Sequence, residues 1–318
     1  MVIWGLVDNR TGHTGQVLGV IAKLGIPYVL KRLEYNALTV LPNRLLGARL
    51  WAVDVNRSAP IAAPWPRLVI AAGRRTLPVL RYIKKQSPST VTVYLMWPGD
   101  YTDIDLIAAP AHDSAPERPN VMRTLAPLHA VTPETLSVAA EAWAPQFSHL
   151  PRPWVALVLG GSTKQGHYKP ADWRELIRRA QDMAGTGSLL ITTSRRTPPE
   201  AIALMEPLLS VPHLLHRWDT DKDNPYLGLL GAADGIIVTG DSLSMCTEAC
   251  VADKPVYLFT RPEILPPKHR AMHAQLFERG MARPLNAEAN LDWRPASPLD
   301  DAGQVANEIR KRFPQALV

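Results

Sequence analysis

The strongest constraint on how this chain can fold is a repeated alternation: short apolar runs, each followed by a loop and then by a segment whose apolar residues recur at helical spacing. Continuous apolar runs suit strands buried on both faces. Strands separated by helices pair in parallel, so the pattern predicts parallel sheets covered by helices. In the first half, IWGLV (3–7) leads through a glycine-containing loop to Val17, Leu18, Ile21 and Leu24 on one helical face, closed by Gly25. Further strands are expected at PYVLKRL (27–33), RLVIAAG (67–73), VTVYLM (91–96), DLIAA (105–109) and VMRTL (121–125), with Leu77, Leu80 and Ile83 marking a helix between two of them.

A helix with Thr132 as N-cap and Pro133 at its first position is followed by several prolines before WVALVLGG (154–161), which places a domain boundary near residue 150. The second half repeats the order: a helix over Ala171–Met183, strand SLLITT (188–193), a helix after Pro199, strands HLLHR (213–217) and GIIVTG (235–240), a helix from Ser242, and strand PVYLF (255–259). A length of 318 residues, 46% of them hydrophobic, is enough for two cores. The expected fold is therefore α/β, with domains over 1–150 and 151–300. A last helix from Asp301 to Phe313, within 301–318, is expected to cross back to the first domain.

Several classes are disfavoured. No apolar stretch approaches the roughly 18 residues of a membrane span. The start, MVIWGLVDNR, reads as a strand running into a polar loop, so neither a signal nor a transit peptide is expected. Cys246 and Cys250, four apart in one predicted helix, read as reduced packing thiols and suit a cytoplasmic setting. The formal charge of +6 divides into +5 for residues 1–150 and +1 for the remainder. Such a bias suits an anionic partner or simply a solvated surface. No Cys/His zinc spacing or Arg-aromatic interleaving points to nucleic acid.

Three loops of the second half carry candidate chemistry, each at the C-terminal end of a predicted strand, where ligands collect in open α/β sheets. GGSTKQGHY (160–168) offers Gly160, Gly161 and Ser162 as amide donors to a phosphate, with Lys164 adding charge; an ordinary structural turn is the competing reading. TTSRRTPPE (192–200) offers Ser194 and the paired Arg195 and Arg196 as a bidentate phosphate grip, Arg195 being the one carried to the donor diphosphate; a solvent-facing pair is the competing reading. In TGDSLSMCTEAC (239–250), Ser242 and Ser244 sit at a helix start, and Glu248 is placed to accept both hydroxyls of a ribose; an N-cap followed by a surface glutamate is the alternative. In the first half, DNRTGHTGQ (8–16) follows the first strand. There His13 is either a general base or a helix cap, and Asp8 is the competing base.

Residues 36–54 interleave Leu38, Val40, Leu41, Leu45, Leu46, Leu50 and Trp51 with Arg44 and Arg49. This pattern admits peripheral contact with an anionic membrane as well as core packing, and core packing is the more ordinary explanation. The acidic clusters DID (103–105) and DTDKD (219–223) lack supporting carboxylates, and no metal site is expected.

Six blocks found together in this order, D-x-R-x-G-H from Asp8, LPNRLL from Leu41, the GGS loop at Gly160, TTSRRTP from Thr192, NPY from Asn224 and TGDSLSMCTEA from Thr239, make the chain resemble the ELM1-like family over nearly its whole length. That family is similar to glycosyltransferases of the GT-B type. These include the enzyme that adds N-acetylglucosamine to the lipid-linked peptidoglycan precursor. The resemblance implies two Rossmann-like doubly wound domains facing each other across a cleft, with His13 as base, Gly160-Gly161-Ser162 at the donor diphosphate and Glu248 on the nucleotide ribose. The loop NRTGHTG departs from the fuller glycine run of those enzymes. The plant member is associated with recruiting a dynamin-related protein, so the resemblance also admits an adaptor. The expectation is a metal-independent, cofactor-free glycosyltransferase. It would use a nucleoside diphosphate sugar and a lipid-linked or envelope acceptor, at the inner face of the cytoplasmic membrane. An adaptor and a nucleotide-sugar epimerase are the alternatives.

Overall fold

In the computed structural model of the chain, residues 3–99, 101–113, 115–219 and 223–317 are described, Thr11 by its backbone alone. The chain divides into two compact units, residues 1–130 with 300–318, and residues 131–299. Among the described residues the strands form two six-stranded sheets, parallel throughout.

The first unit runs β1 (Ile3–Val7), α1 (Thr11–Leu24), β2 (Tyr28–Arg32), α2 (Asn43–Leu46), β3 (Leu68–Ala72), α3 (Leu77–Gln86), β4 (Val91–Leu95), β5 (Leu106–Pro110) and β6 (Val121–Thr124), in sheet order β2-β1-β3-β4-β5-β6. The inner strands are buried at every position, as two-sided cover requires, whereas the edge strand β2 is largely exposed. Val17, Val20, Ile21 and Leu24 of α1 share one core with Val305, Ala306 and Ile309 of the C-terminal helix Asp301–Arg312. Two polar contacts fix that helix within this unit: buried Asp301 accepts the Ala126 amide (2.7 Å), and Arg310 donates to the Lys23 carbonyl at the end of α1 (2.6 Å). On the other face Leu77, Leu80 and Ile83 of α3 pack with Tyr94 and Ile107.

The second unit contains α4 (Pro133–Phe147), β7 (Trp154–Val158), α5 (Pro170–Ala184), β8 (Ser188–Thr192), α6 (Pro199–Met205), β9 (His213–His216), α7 (Tyr226–Ala232), β10 (Gly235–Thr239), α8 (Leu243–Ala249), β11 (Val256–Phe259), α9 (Pro267–Glu278) and β12 (Arg283–Pro284), in sheet order β12-β11-β10-β7-β8-β9. Thr132 caps α4 through a reciprocal pair of bonds with Thr135. The unit begins at residue 131, not 151, because α4 lies against α7. Gly228 and Gly231 leave room there for Trp143 and for the Leu136 carbonyl; a Cβ at Gly228 would stand 2.7 Å from the Trp143 ring.

One expectation is corrected. Residues 36–54 are not mainly core: Leu46, Ala52 and Val53 are buried, but Leu38, Val40, Leu45 and Trp51 are exposed. The carboxylates of the DID cluster are engaged by cations, Asp103 by Arg81 (2.7 Å) and Asp105 by Lys84 (2.8 Å). Residues 220–222 of the second acidic cluster lie outside the described residues. No helix among the described residues is long and apolar enough to cross a membrane.

Candidate functional site

In the second sheet the winding direction reverses between β7 and β10, so the loops after these two strands emerge side by side. They are joined by side chains. The Gly160 amide donates to Thr239 Oγ1 (2.6 Å) and the Gly161 amide to Asp241 Oδ2 (2.9 Å). The two glycine amides expected to face a phosphate are therefore spent on holding the β10 loop. The glycines are there for close approach: a Cβ at Gly160 would collide with the Asp241 carboxylate, and one at Gly161 with the Arg196 carbonyl. Beyond them, a turn closed by Thr163 N to Gly166 O (2.8 Å) and pinned by Thr163 Oγ1 to the Ile264 carbonyl (2.5 Å) leaves Ser162 and Lys164 exposed.

The β8 loop locks onto the same structure. Thr197 Oγ1 donates to the Gly160 carbonyl (2.6 Å) and accepts from the Ser194 amide (2.9 Å), while Ser194 Oγ accepts from the Arg196 amide (3.2 Å). Of the paired arginines, Arg196 is the one that reaches across. Its Nη2 lies 3.0 Å from Asp241 Oδ2 and its Nη1 donates to the Ser162 carbonyl (3.3 Å). Burial pushes the Asp241 carboxyl above its ordinary range; Arg196 and the Gly161 amide oppose that push. Arg195 is exposed and lines the adjoining pocket. Sequence reasoning missed Asp241, and it read Arg196 with Arg195 as a phosphate grip and not as the tie between loops. Asp241 stood beside Ser242 as an ordinary helix-start residue, and nothing in RR tells which guanidinium turns inward.

That pocket, about 170 Å³, opens at the C-terminal edge of the sheet. Val158, Leu159 and Met245 supply apolar wall, Trp218 a flat aromatic surface, and Ser194 and Asn224 polar atoms. Trp218 is held by its amide donating to Thr193 Oγ1 (2.8 Å). Tyr226, also in the wall, donates its hydroxyl to Glu248 Oε2 (2.7 Å). Burial raises the Glu248 carboxyl, with the Tyr226 bond acting the other way, and the same contact together with burial pushes the Tyr226 phenol well up. Ser242 caps α8, accepting from the Met245 amide (3.5 Å); Ser244 is exposed one residue into the helix. The structure thus gathers Gly160, Gly161, Ser194, Arg195, Ser242 and Glu248 at one sheet edge. It adds Trp218 and Tyr226, whose signal was only the NPY block and an isolated tryptophan.

Beneath the Gly240 turn, buried Cys246 Sγ faces His273 Nε2 at 3.7 Å. Burial, and then His269, hold His273 down to about 4, so it is neutral when the unfolded chain's imidazole would charge near its ordinary 6.5. Because the native state resists that proton, stability falls as pH drops from about 6.5 to about 4, by on the order of 1 kcal/mol per pH unit. Urea unfolding across that interval should show this slope in the wild type and lose it in His273→Gln; an unchanged slope would place the titration elsewhere.

In the first unit, Asp8 and His13 flank the turn after β1. His13 Nδ1 lies 3.4 and 3.5 Å from the two oxygens of buried Asp8, which also accepts the Arg10 amide (3.0 Å). Burial works against ionisation of Asp8, but the bonds from His13 and Arg10 outweigh it and hold its carboxyl below the ordinary value. An ionised Asp8 makes Nδ1 the protonated nitrogen, leaving Nε2 as the acceptor. The ring lies over Gly73, in the left-handed region at φ 89°, where any Cβ would strike the imidazole. Asp8, buried and held ionised, is therefore a partner that orients His13.

The family model for mitochondrial fission ELM1 matches residues 11–313. The chain belongs to the ELM1 family. An uncharacterized protein of Rickettsia prowazekii (strain Madrid E) is 28% identical to it, covering 98% of each chain. Mitochondrial fission protein ELM1 of Arabidopsis thaliana is 27% identical over 78% of this chain, which spans 64% of that relative's length. Among solved structures, UDP-GlcNAc 2-epimerase from Neisseria meningitidis bound to UDP-GlcNAc is similar with a TM-score of 0.54 and 13% identity, covering 99% of this chain and 93% of that one. The fold is of the GT-B type, with two doubly wound α/β units.

Proposed function

We propose that the second unit of this ELM1-family protein binds a nucleoside diphosphate sugar, and that the protein is a metal-independent glycosyltransferase acting on a membrane-associated or envelope acceptor. The observation that carries the reading is Glu248: a carboxylate drawn out of water, bonded to a wall residue of a small pocket at the strand reversal, with exposed Arg195 in the same wall. The base fits the slot of Val158, Leu159, Met245 and Trp218, while the ribose hydroxyls donate to Glu248 as Tyr226 steadies it. Arg195 and Lys164 supply positive charge to the diphosphate, with hydroxyls from Ser162, Ser194, Ser242 and Ser244. Charge growing on the leaving diphosphate is met by these cations and dipoles without a metal. His13 is the assigned base for the acceptor hydroxyl, Asp8 holding its tautomer. The fold neighbour solved with UDP-GlcNAc supports a nucleotide-sugar over other anions.

Calorimetric titration with UDP-, GDP-, ADP- and CMP-sugars tests this. One base class should bind, and Glu248→Ala should weaken it about tenfold or more, the worth of hydrogen bonds to a charged group. Since only the carboxylate can accept both hydroxyls, affinity should fall on acidification at a pH above the ordinary 4.5 of a glutamate, and Glu248→Gln should flatten the dependence. No binding of any nucleotide-sugar would leave an adaptor. Conversion of the donor with no acceptor present would make the protein an epimerase.

A further inference from the structure

Residues 38–55 form a surface that the nucleotide site does not use. Large exposed apolar side chains are otherwise scattered among the described residues, on the edge strand β2 and singly at Val138, Leu208 and Trp218. Five of them fall within this short stretch of sequence: Leu38, Val40 at 82% exposure, Leu45 at 62%, Trp51 at 57% and Val55 at 68%. Exposed apolar groups cost solubility and persist in clusters where something covers them.

The segment is held rigid. Leu46, Ala52 and Val53 anchor it in the first unit, and Asn36 Nδ2 donates to the Trp51 carbonyl (2.8 Å). Arg74 donates to the Leu41 carbonyl (2.9 Å) and to that of Thr39, while Asn43 Nδ2 returns a bond to the Arg74 carbonyl (3.1 Å). The apolar tips are displayed by a braced backbone and lose little freedom when they dock.

The charge within the segment leans positive. Arg44 and Arg49 are exposed, and the Arg49 guanidinium lies 4.1 Å from the centre of the Trp51 ring. The one acidic side chain in the segment, Asp54, is turned onto the Asn56 amide (3.1 Å). Arg44 also lines, with Trp97, Tyr101 and the Asp103-paired Arg81, a polar pocket of about 490 Å³. A tryptophan beside an arginine and apolar side chains interleaved with Arg44 and Arg49 match the interface of an anionic bilayer: side chains enter the acyl boundary while guanidinium groups stay at the phosphates.

We infer that this braced 38–55 surface docks the protein on an anionic lipid membrane, peripherally and reversibly. The inference does not rest on the nucleotide reading. In co-sedimentation, the full chain should pellet with phosphatidylcholine vesicles containing phosphatidylglycerol and remain in solution with phosphatidylcholine alone. High salt should weaken the binding. The combination Val40→Ser, Leu45→Ser and Trp51→Ser, at exposed positions that leave the anchors intact, should abolish pelleting with an unchanged melting temperature. Arg44→Gln and Arg49→Gln should each weaken it about fivefold. Equal partitioning to neutral and anionic vesicles, or pelleting retained by the triple variant, overturns the inference. So does self-association in sedimentation velocity that the triple variant removes, which would make a second copy of the chain the occupant.

Discussion

Replacing Gly161 with alanine should destabilise the second unit by about 3 kcal/mol or more, the upper range for forcing atoms into a packed site. The added Cβ meets the Arg196 carbonyl and comes within 3.1 Å of the Thr197 amide, both backbone, so no rotamer change relieves the clash. Moving the loop away breaks the Gly161–Asp241 hydrogen bond and pulls the Arg196 carbonyl from its place, so all three loops shift together. At roughly 2–4 °C per kcal/mol for a unit of this size, the thermal transition should drop by about 10 °C. Gly12→Ala is the control: a Cβ there meets nothing within 4 Å, and alanine favours the helix, so stability should hold or rise slightly. If Gly161→Ala melted with the wild type, the convergence of the β7 and β8 loops would be refuted.

Asp241→Ala should cost about 2–3 kcal/mol. Breaking a buried ion pair usually costs about 3–5 kcal/mol, but Arg196 is 40% exposed, and water takes over part of its lost contact. The Gly161 amide, buried and left without its acceptor, supplies much of the remainder. Asp241→Asn keeps an acceptor for that amide and should cost less. A double-mutant cycle with Arg196→Ala reads the pair directly: a coupling of about 1 kcal/mol or more is expected, and one near zero would show that the guanidinium and carboxylate do not act together. Both variants should also weaken nucleotide-sugar binding, because the pocket is walled by the loops this pair ties down.

Much of the fold was legible from the residues. Strands buried on both faces leave unbroken apolar runs, and IWGLV, RLVIAAG, WVALVLGG and GIIVTG all contain inner strands. Helix α4 announced its start through Thr132 and Pro133. The unit boundary was not legible near 150, since the prolines after α4 mark a bend inside the second unit and the α4–α7 packing depends on glycines some ninety residues further along. Helices α2, α7 and α9 were missed: the first is one turn long, the second seven residues with two glycines, and the third mixed around its circumference.

At the candidate site, local pattern and long-range contact divide the result. Glycines after strands, a serine cap and a glutamate on the next helix are local features, so Gly160, Gly161, Ser242 and Glu248 stood out in the chain. What each does was set by partners distant in sequence: Asp241 and Arg196 consume glycine backbone and carboxylate alike, and Tyr226 takes hold of Glu248. By itself the sequence determined the two parallel sheets and the strand ends where chemistry can sit, because periodicity and turn chemistry are short-range. Only the tertiary structure decided which amides remain for a ligand, which arginine is structural, and which apolar residues of 38–55 face outward. Those outcomes follow from hydrogen bonds and burial between segments that no local pattern encodes.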